Sequence, residues 1–261
     1  MIVKKHKQFD NGIVYVLETY DGYPIETTDT FLPFYTKDAV GRNQNCLETY
    51  EAGNRSERWM IGVSVMSGCP VRCKFCATGK LDKWRNLTAH EIVEQVEFIL
   101  AKNPEYKFTD AKEYKINYTR MGEPFLNILN VRDAIEEIER RYPGTHHYIS
   151  TIGVTGSDFT WIKDNITLQI SLHAMTDKKR DWLIPFSRKF TIKELGKITT
   201  RSDLLTTLNL TLVDINDFDI NILQANFDSK DFFIKLSPVN PNEMSDSHNM
   251  GTGVIKAVNL L

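Results

Sequence analysis

Cysteine is scarce in this sequence: there are four in 261 residues, and none follows residue 76. An excess of one charge is absent too, since 32 Lys and Arg against 34 Asp and Glu leave a formal net charge of -2. That balance excludes a broad basic surface that would grip polyanions without specificity, while leaving room for a local basic groove. No stretch approaches the ~18 uninterrupted apolar residues of a membrane span. The opening MIVKKHKQFD has neither the apolar core nor the small-residue cleavage site of a secretory leader. The expected location is therefore the cytoplasm, with no membrane association. There thiols stay reduced, and clustered cysteines are more often metal ligands or catalysts than disulfides. Linkers rich in Pro, Gly or Ser, internal repeats and low-complexity tracts are also missing, so one large core is expected. A chain of this length suits a single α/β domain of roughly 250 residues.

Beyond residue 58 the chain alternates short apolar runs with amphipathic stretches. WMIGVSV (59–65), YKINYT (114–119), HYIST (147–151), ITLQISL (166–172), LLTTLNLTLV (204–213) and FFIKLS (232–237) read as strands. LTAHEIVEQVEFILAK (87–102), VRDAIEEIERRY (131–142), FTIKELGKIT (190–199) and FDINILQANF (218–227) read as helices. Thr88, with Glu91 three positions on, is a capping-box start for the first helix. Strands separated by helices predict βαβ units and a parallel sheet, open or curled into a barrel. Residues 1–58 differ, with one strand-like run, GIVYVLE (12–18). A hairpin tipped by EAGNRSE is expected where NQNCLETY leads into WMIGV. The expected organisation is an N-terminal β-rich extension over 1–58 and a βα core over 59–261.

Three of the four cysteines, Cys69, Cys73 and Cys76, fall in SGCPVRCKFCATGK, just after a predicted strand. The spacing C-x-x-x-C-x-x-C places three thiolates on one loop. Such a loop can ligate three irons of a [4Fe–4S] cube and leave the fourth open to an outside molecule. A structural zinc site would call for a second ligand pair, and the one spare thiol is Cys46.

This loop resembles the signature of radical S-adenosylmethionine (SAM) enzymes, in which an aromatic residue, here Phe75, precedes the third cysteine. MGEPFLN (121–127), HYISTIGV (147–154), LQISLHAMTDKKRDWLIPFSRKFTIKEL (168–195) and IKLSPVNP (234–241) extend the similarity, in order and spacing, to the RlmN/Cfr family. Those enzymes methylate adenosine in ribosomal or transfer RNA. The resemblance implies a partial (βα)6 barrel with the cluster loop after its first strand. SAM would chelate the open iron and be cleaved, by an electron from a reductant such as flavodoxin or ferredoxin, to methionine and a 5′-deoxyadenosyl radical. It further implies SAM contacts at Gly122, Glu123, Ser150, Ser171, Leu172, His173 and Asn240, with Phe75 as a wall near the adenine. By the same resemblance Glu48 aligns with the family's proposed general base.

The family also uses a methyl-carrying cysteine in a C-terminal segment and an N-terminal RNA-binding domain. No cysteine follows Cys76 here, and 68 residues precede Cys69, so both are expected to be missing. Cys46 or a partner protein would then have to supply the carrier. Three readings stay open: a radical SAM enzyme acting on an RNA base or nucleotide, one acting on a small metabolite or peptide, and a non-catalytic cluster protein. Intact MGEP, SLH and Asn240 weigh against the last. The segment DKKRDWLIPFSRK (177–189) mixes cations with Trp182 and Phe186, which suits RNA and equally suits a solvated helix face.

Overall fold

The computed structural model describes residues 1–34, 53–214 and 217–251. Its first elements are strands β1 (Ile2–Phe9), β2 (Gly12–Glu18), β3 (Pro24–Leu32), β4 (Arg58–Gly62), β5 (Met66–Ser67) and β6 (Arg85–Asn86). Helix α1 (Ala89–Lys102), strand β7 (Glu113–Tyr118), helix α2 (Ile128–Arg141) and strands β8 (His146–Thr151) and β9 (Ile166–Ser171) follow. The remainder holds α3 (Asp177–Leu183), α4 (Ile192–Leu195), β10 (Thr206–Thr211), α5 (Ile220–Asn226), β11 (Phe232–Ser237) and α6 (Glu243–Ser247). The chain divides into two compact units: Met1–Val65 with Leu87–Arg120 and Leu129–His147, and Met66–Asn86 with Met121–Ile128 and Tyr148–Leu261.

In the first unit the strands run in the order β1-β2-β3-β4-β7. Pairing is antiparallel as far as β4 and parallel between β4 and β7. Both edges of β4 are thus filled, by β3 and β7, rather than by the upstream arm of a hairpin; that arm lies outside the described residues. Helix α2 shows why its sequence is helical: Val131, Ala134, Ile135 and Ile138 recur at the i, i+3, i+4, i+7 spacing and are its buried residues. Helix α1 starts on the expected capping box. Thr88 Oγ1 accepts from Glu91 N at 3.2 Å while the Glu91 side chain accepts from Thr88 N at 2.9 Å. Ile92, Val93, Val96 and Ile99 are buried along it, and each side chain of this size contributes about 1.5–3 kcal/mol when fully buried.

A buried carboxylate pins the end of this helix. Asp29 of β3, fully buried, accepts from Arg55 Nη2 at 2.6 Å, Trp59 Nε1 at 2.8 Å and Asn103 Nδ2 at 3.1 Å. Asn103 is the C-cap of α1, so one carboxylate ties strand, loop and helix end together. The Arg55 guanidinium lies 4.5 Å from the centre of the Phe31 ring, which covers the face of the pair.

In the second unit the strand order is β8-β9-β10-β11, the first two residues of β8 falling in the first unit. β10 is parallel to β9 on one side and to β11 on the other. The fold is mixed α/β with parallel strands, as expected, and the described strands form no closed barrel. Because these strands run the same way, Ser150 and Thr151, Ser171, Thr211 and Ser237 all stand at carboxyl ends, where open α/β sheets bind ligands. Helices α4 and α5 are shorter than their amphipathic stretches, at four and seven residues.

Candidate functional site

The cysteine loop is closed at its neck by β5 and β6, where Met66 pairs with Asn86 and Ser67 with Arg85. Gly68 begins the loop at φ +68°, and a Cβ there would lie 2.5 Å from Lys83 O, so the turn requires glycine. Cys76 N donates to Cys73 O at 3.0 Å and Gly79 N to Cys76 O at 3.1 Å, folding the second and third cysteines into one tight turn. The loop is fastened at two further points. Lys74 N donates to Leu183 O of α3 at 2.9 Å, and Asn242, the cap of α6, donates from its side chain to Phe75 O at 3.0 Å.

Cys69, Cys73 and Cys76 are free and half-buried. Burial pushes the Cys69 thiol up to about 12 and Cys73 well above its usual range, with the neighbouring cysteines and Glu123 adding repulsion. Without a cation Cys69 and Cys73 are held as neutral thiols; a bound metal reverses that balance and takes thiolates. Among the described residues no three His, Cys, Asp or Glu converge as a single ion would require. A cube asks for less convergence, since each cysteine binds its own iron. Three free thiols on one loop fit that donor set.

MGEP follows β7. Gly122 sits at φ +103°, and a Cβ there would meet Met66 Cβ and Cγ at 2.6 Å, so a side chain is excluded by conformation and by contact. Glu123 is buried. Its carboxylate accepts from Thr151 Oγ1 at 2.5 Å, Ile152 N at 2.9 Å and Phe125 N at 3.0 Å. Burial raises it to about 7 against these hydrogen bonds and the nearby positive Arg180.

His173 is held in the left-handed region at φ 59°. Leu172 N and His173 N both donate to Asn209 O, at 3.0 and 3.2 Å, and Thr211 N donates to His173 Nδ1 at 3.0 Å. An Nδ1 that accepts leaves the ring proton on Nε2. Burial, helped by Arg180, lowers its pKa to about 3, so the imidazole is neutral at physiological pH. Strained backbone of this kind persists only where surrounding bonds enforce it, and it clusters at ligand sites. Phe75 meets the His173 ring edge-on, with centroids 4.9 Å apart.

The structure thus brings Cys69, Cys73, Cys76, Phe75, Gly122, Glu123 and His173 together in one unit. Ser150 and Ser171 lie side by side at the strand ends, Oγ to Oγ 3.3 Å. Leu172 is fully buried and acts through its backbone N–H. Asn240 is exposed, and its carbonyl accepts from Asn242 Nδ2 at 2.8 Å. Cys46 and Glu48 lie outside the described residues. Sequence reasoning missed three supporting residues. Thr151 and Thr211 carry no local signal, while Arg180, read as one of a run of cations, is buried. Of that run, Lys179 pairs with Asp217 at 3.0 Å and Lys189 with Asp181 at 2.5 Å, whereas Trp182 is 42% exposed.

The Radical SAM superfamily model matches residues 63–220. The chain belongs to the radical SAM superfamily. A probable dual-specificity RNA methyltransferase RlmN from Pseudothermotoga lettingae is 37% identical over 253 residues, covering 92% of this chain and 65% of that protein. The dual-specificity RNA methyltransferase RlmN of Helicobacter hepaticus is 34% identical over 199 residues, covering 74% of this chain and 50% of that protein. The chain therefore spans between half and two thirds of the length of these relatives. A crystal structure of a radical SAM methyltransferase from Sphaerobacter thermophilus shares the fold, with a TM-score of 0.71, 24% identity, and coverage of 99% of this chain and 72% of that one.

Proposed function

We propose that this protein is an enzyme that cleaves SAM reductively and abstracts hydrogen from an RNA base, adenosine being the base that the sequence resemblance to the RlmN/Cfr family implies. Cys69, Cys73 and Cys76 hold a [4Fe–4S] cluster, residues 1–58 form an N-terminal extension, and 59–261 form the catalytic core. When bound, cluster and SAM supply the chemistry: one electron from a flavodoxin- or ferredoxin-like donor yields methionine and a 5′-deoxyadenosyl radical. The reading rests on one observation, the gathering of three thiols, a hydrogen-bonded buried Glu123 and a neutral His173 at one end of a parallel sheet.

The chain's own residues bind and orient. Gly122 lets backbone approach the amino-acid end of SAM, and Glu123, already fixed by three donors, presents its carboxylate to the ammonium. Such charge-assisted bonds contribute about 1.5–3 kcal/mol. Ser150, Ser171 and Asn240 offer polar contacts, and Leu172 and His173 hold the turn beside Phe75. Neutral His173, with its proton on Nε2, would offer a bound SAM a hydrogen-bond donor that carries no charge. Methyl transfer by the relatives' route needs a carrier thiol besides the cluster ligands, and Cys46 is the remaining cysteine of this sequence; Glu48 would serve as the base.

The test is anaerobic incubation of the iron-reconstituted protein with methyl-deuterated SAM and dithionite, with and without cellular RNA. 5′-Deoxyadenosine in the unaltered protein and its loss in Cys73→Ala are expected, together with an RNA-dependent modified adenosine. No 5′-deoxyadenosine would refute SAM cleavage. A labelled product formed from small molecules, with none from RNA, would refute the substrate class. Label trapped on Cys46 would identify the carrier.

A further inference from the structure

Arg180 is a buried cation without an anion. Its residue exposure is 1%, and among the described residues no carboxylate lies within ion-pair distance of it. Nη1 donates to Phe190 O at 2.7 Å and Nη2 donates to Ile152 O. Nε–H is buried and has no hydrogen-bond partner. Two carbonyl dipoles are weak compensation for a full charge removed from water, and buried charges are ordinarily paired. Burial lowers its pKa to about 10, so it remains a cation at neutral pH.

Its surroundings say what kind of anion is missing. Arg180 sits on α3, whose Leu183 carbonyl receives Lys74 N of the cysteine loop. The residue whose carbonyl Arg180 grips, Ile152, donates its own N–H to Glu123. The acidic groups that act on Arg180 are Asp177 and Asp181 of its own helix, Cys73 of the loop, and Glu123. The first two stand on exposed positions. Cysteine binds iron as the thiolate, so Cys73 contributes negative charge once it is a ligand.

We propose that Arg180 is the counter-ion of the iron–sulfur cluster: a positioning residue whose fixed charge is unpaired until the three cysteines bind iron, and which then favours the reduced, more negative cluster. This rests on the cluster reading above. A rival account makes Arg180 only a strap that ties the backbone at Ile152 to that at Phe190.

Arg180→Gln and the apolar Arg180→Met remove the charge; Arg180→Lys keeps it while losing the two-carbonyl grip. The midpoint potential of each reconstituted protein is read by dithionite titration followed by electron paramagnetic resonance. The neutral variants are expected to disfavour the reduced cluster at least tenfold, about 59 mV for one electron. Arg180→Lys should stay within about threefold of the unaltered protein, about 28 mV by the same conversion. Thermal unfolding supplies a second readout. Cluster loading should raise the melting temperature less in the neutral variants than in the unaltered chain, because the charge is a liability only in the unloaded state. Equal potentials across all four proteins would overturn the proposal in favour of the strap. Neutral variants that fail to fold unloaded while Arg180→Lys folds would overturn it as well, because the charge would then be needed before any cluster is bound. An unaltered chain that takes up no iron would sink the cluster reading and this proposal with it; a loaded chain whose potential ignores Arg180 sinks this proposal alone.

Discussion

Asp29 and Arg180 are both buried charges, and the two units treat them differently. Asp29 has a guanidinium, an indole N–H and an amide N–H around its two oxygens. Arg180 has two carbonyls, an idle Nε–H and no carboxylate. The first arrangement is finished when the chain folds. The second is finished only when something anionic arrives. The same contrast recurs in Glu123, Cys69 and Cys73, which burial holds toward their neutral forms. In the first unit the buried Asp29 is satisfied by the fold itself; the second keeps unbalanced charge near a loop of thiols.

Three substitutions sharpen or break that contrast. Asp29→Asn should have the largest effect, about 3–5 kcal/mol lost in chemical denaturation, because it removes the fully buried anion of the pair and leaves the mostly covered Arg55 guanidinium without a counter-charge. The loss should be the same with and without iron; a dependence on iron would erase the distinction between the units. Glu123→Gln comes next. A carboxyl whose folded pKa is raised binds more protons folded than unfolded between its ordinary 4.5 and about 7. Stability of the unloaded protein should therefore fall as pH rises through that window and level off above it, by about 3 kcal/mol in all. Glu123→Gln should flatten the decline, and an unchanged slope would show that Glu123 is not its source. Smallest is Thr88→Ala, which removes the α1 cap for about 1 kcal/mol, again independently of iron.

What the sequence made legible was local. The cysteine spacing states its chemistry because three ligands lie within eight residues, and the Thr88 capping box needs four. β4, β7 and β9 stand out as apolar runs. β1 does not, because IVKKHKQF is exposed along its whole length and has no buried face to impose alternation. β3 was missed because its buried positions include Thr27, Thr28 and Asp29. The burial of Asp29 makes sense only beside Arg55 and Asn103, 26 and 74 residues away. Arg180 reads as one more cation in DKKR. The available clue was its position three residues before buried Leu183, on the same face of a helix, but its partners at Ile152 and Phe190 are set by tertiary structure. Strand-end residues such as Ser150 and Ser171 became site candidates through family resemblance, since a serine in a strand carries no signal of its own.

Hydrogen exchange on the unloaded protein, and on the same protein after anaerobic iron reconstitution and addition of SAM, tests the central claim most directly. Slower exchange is expected at residues 66–86, 121–128 and 148–190, with no change across β1 to β3 and α1, since ligand binding protects the elements that complete the site. Equal exchange in both states, or protection confined to the first unit, would contradict the account.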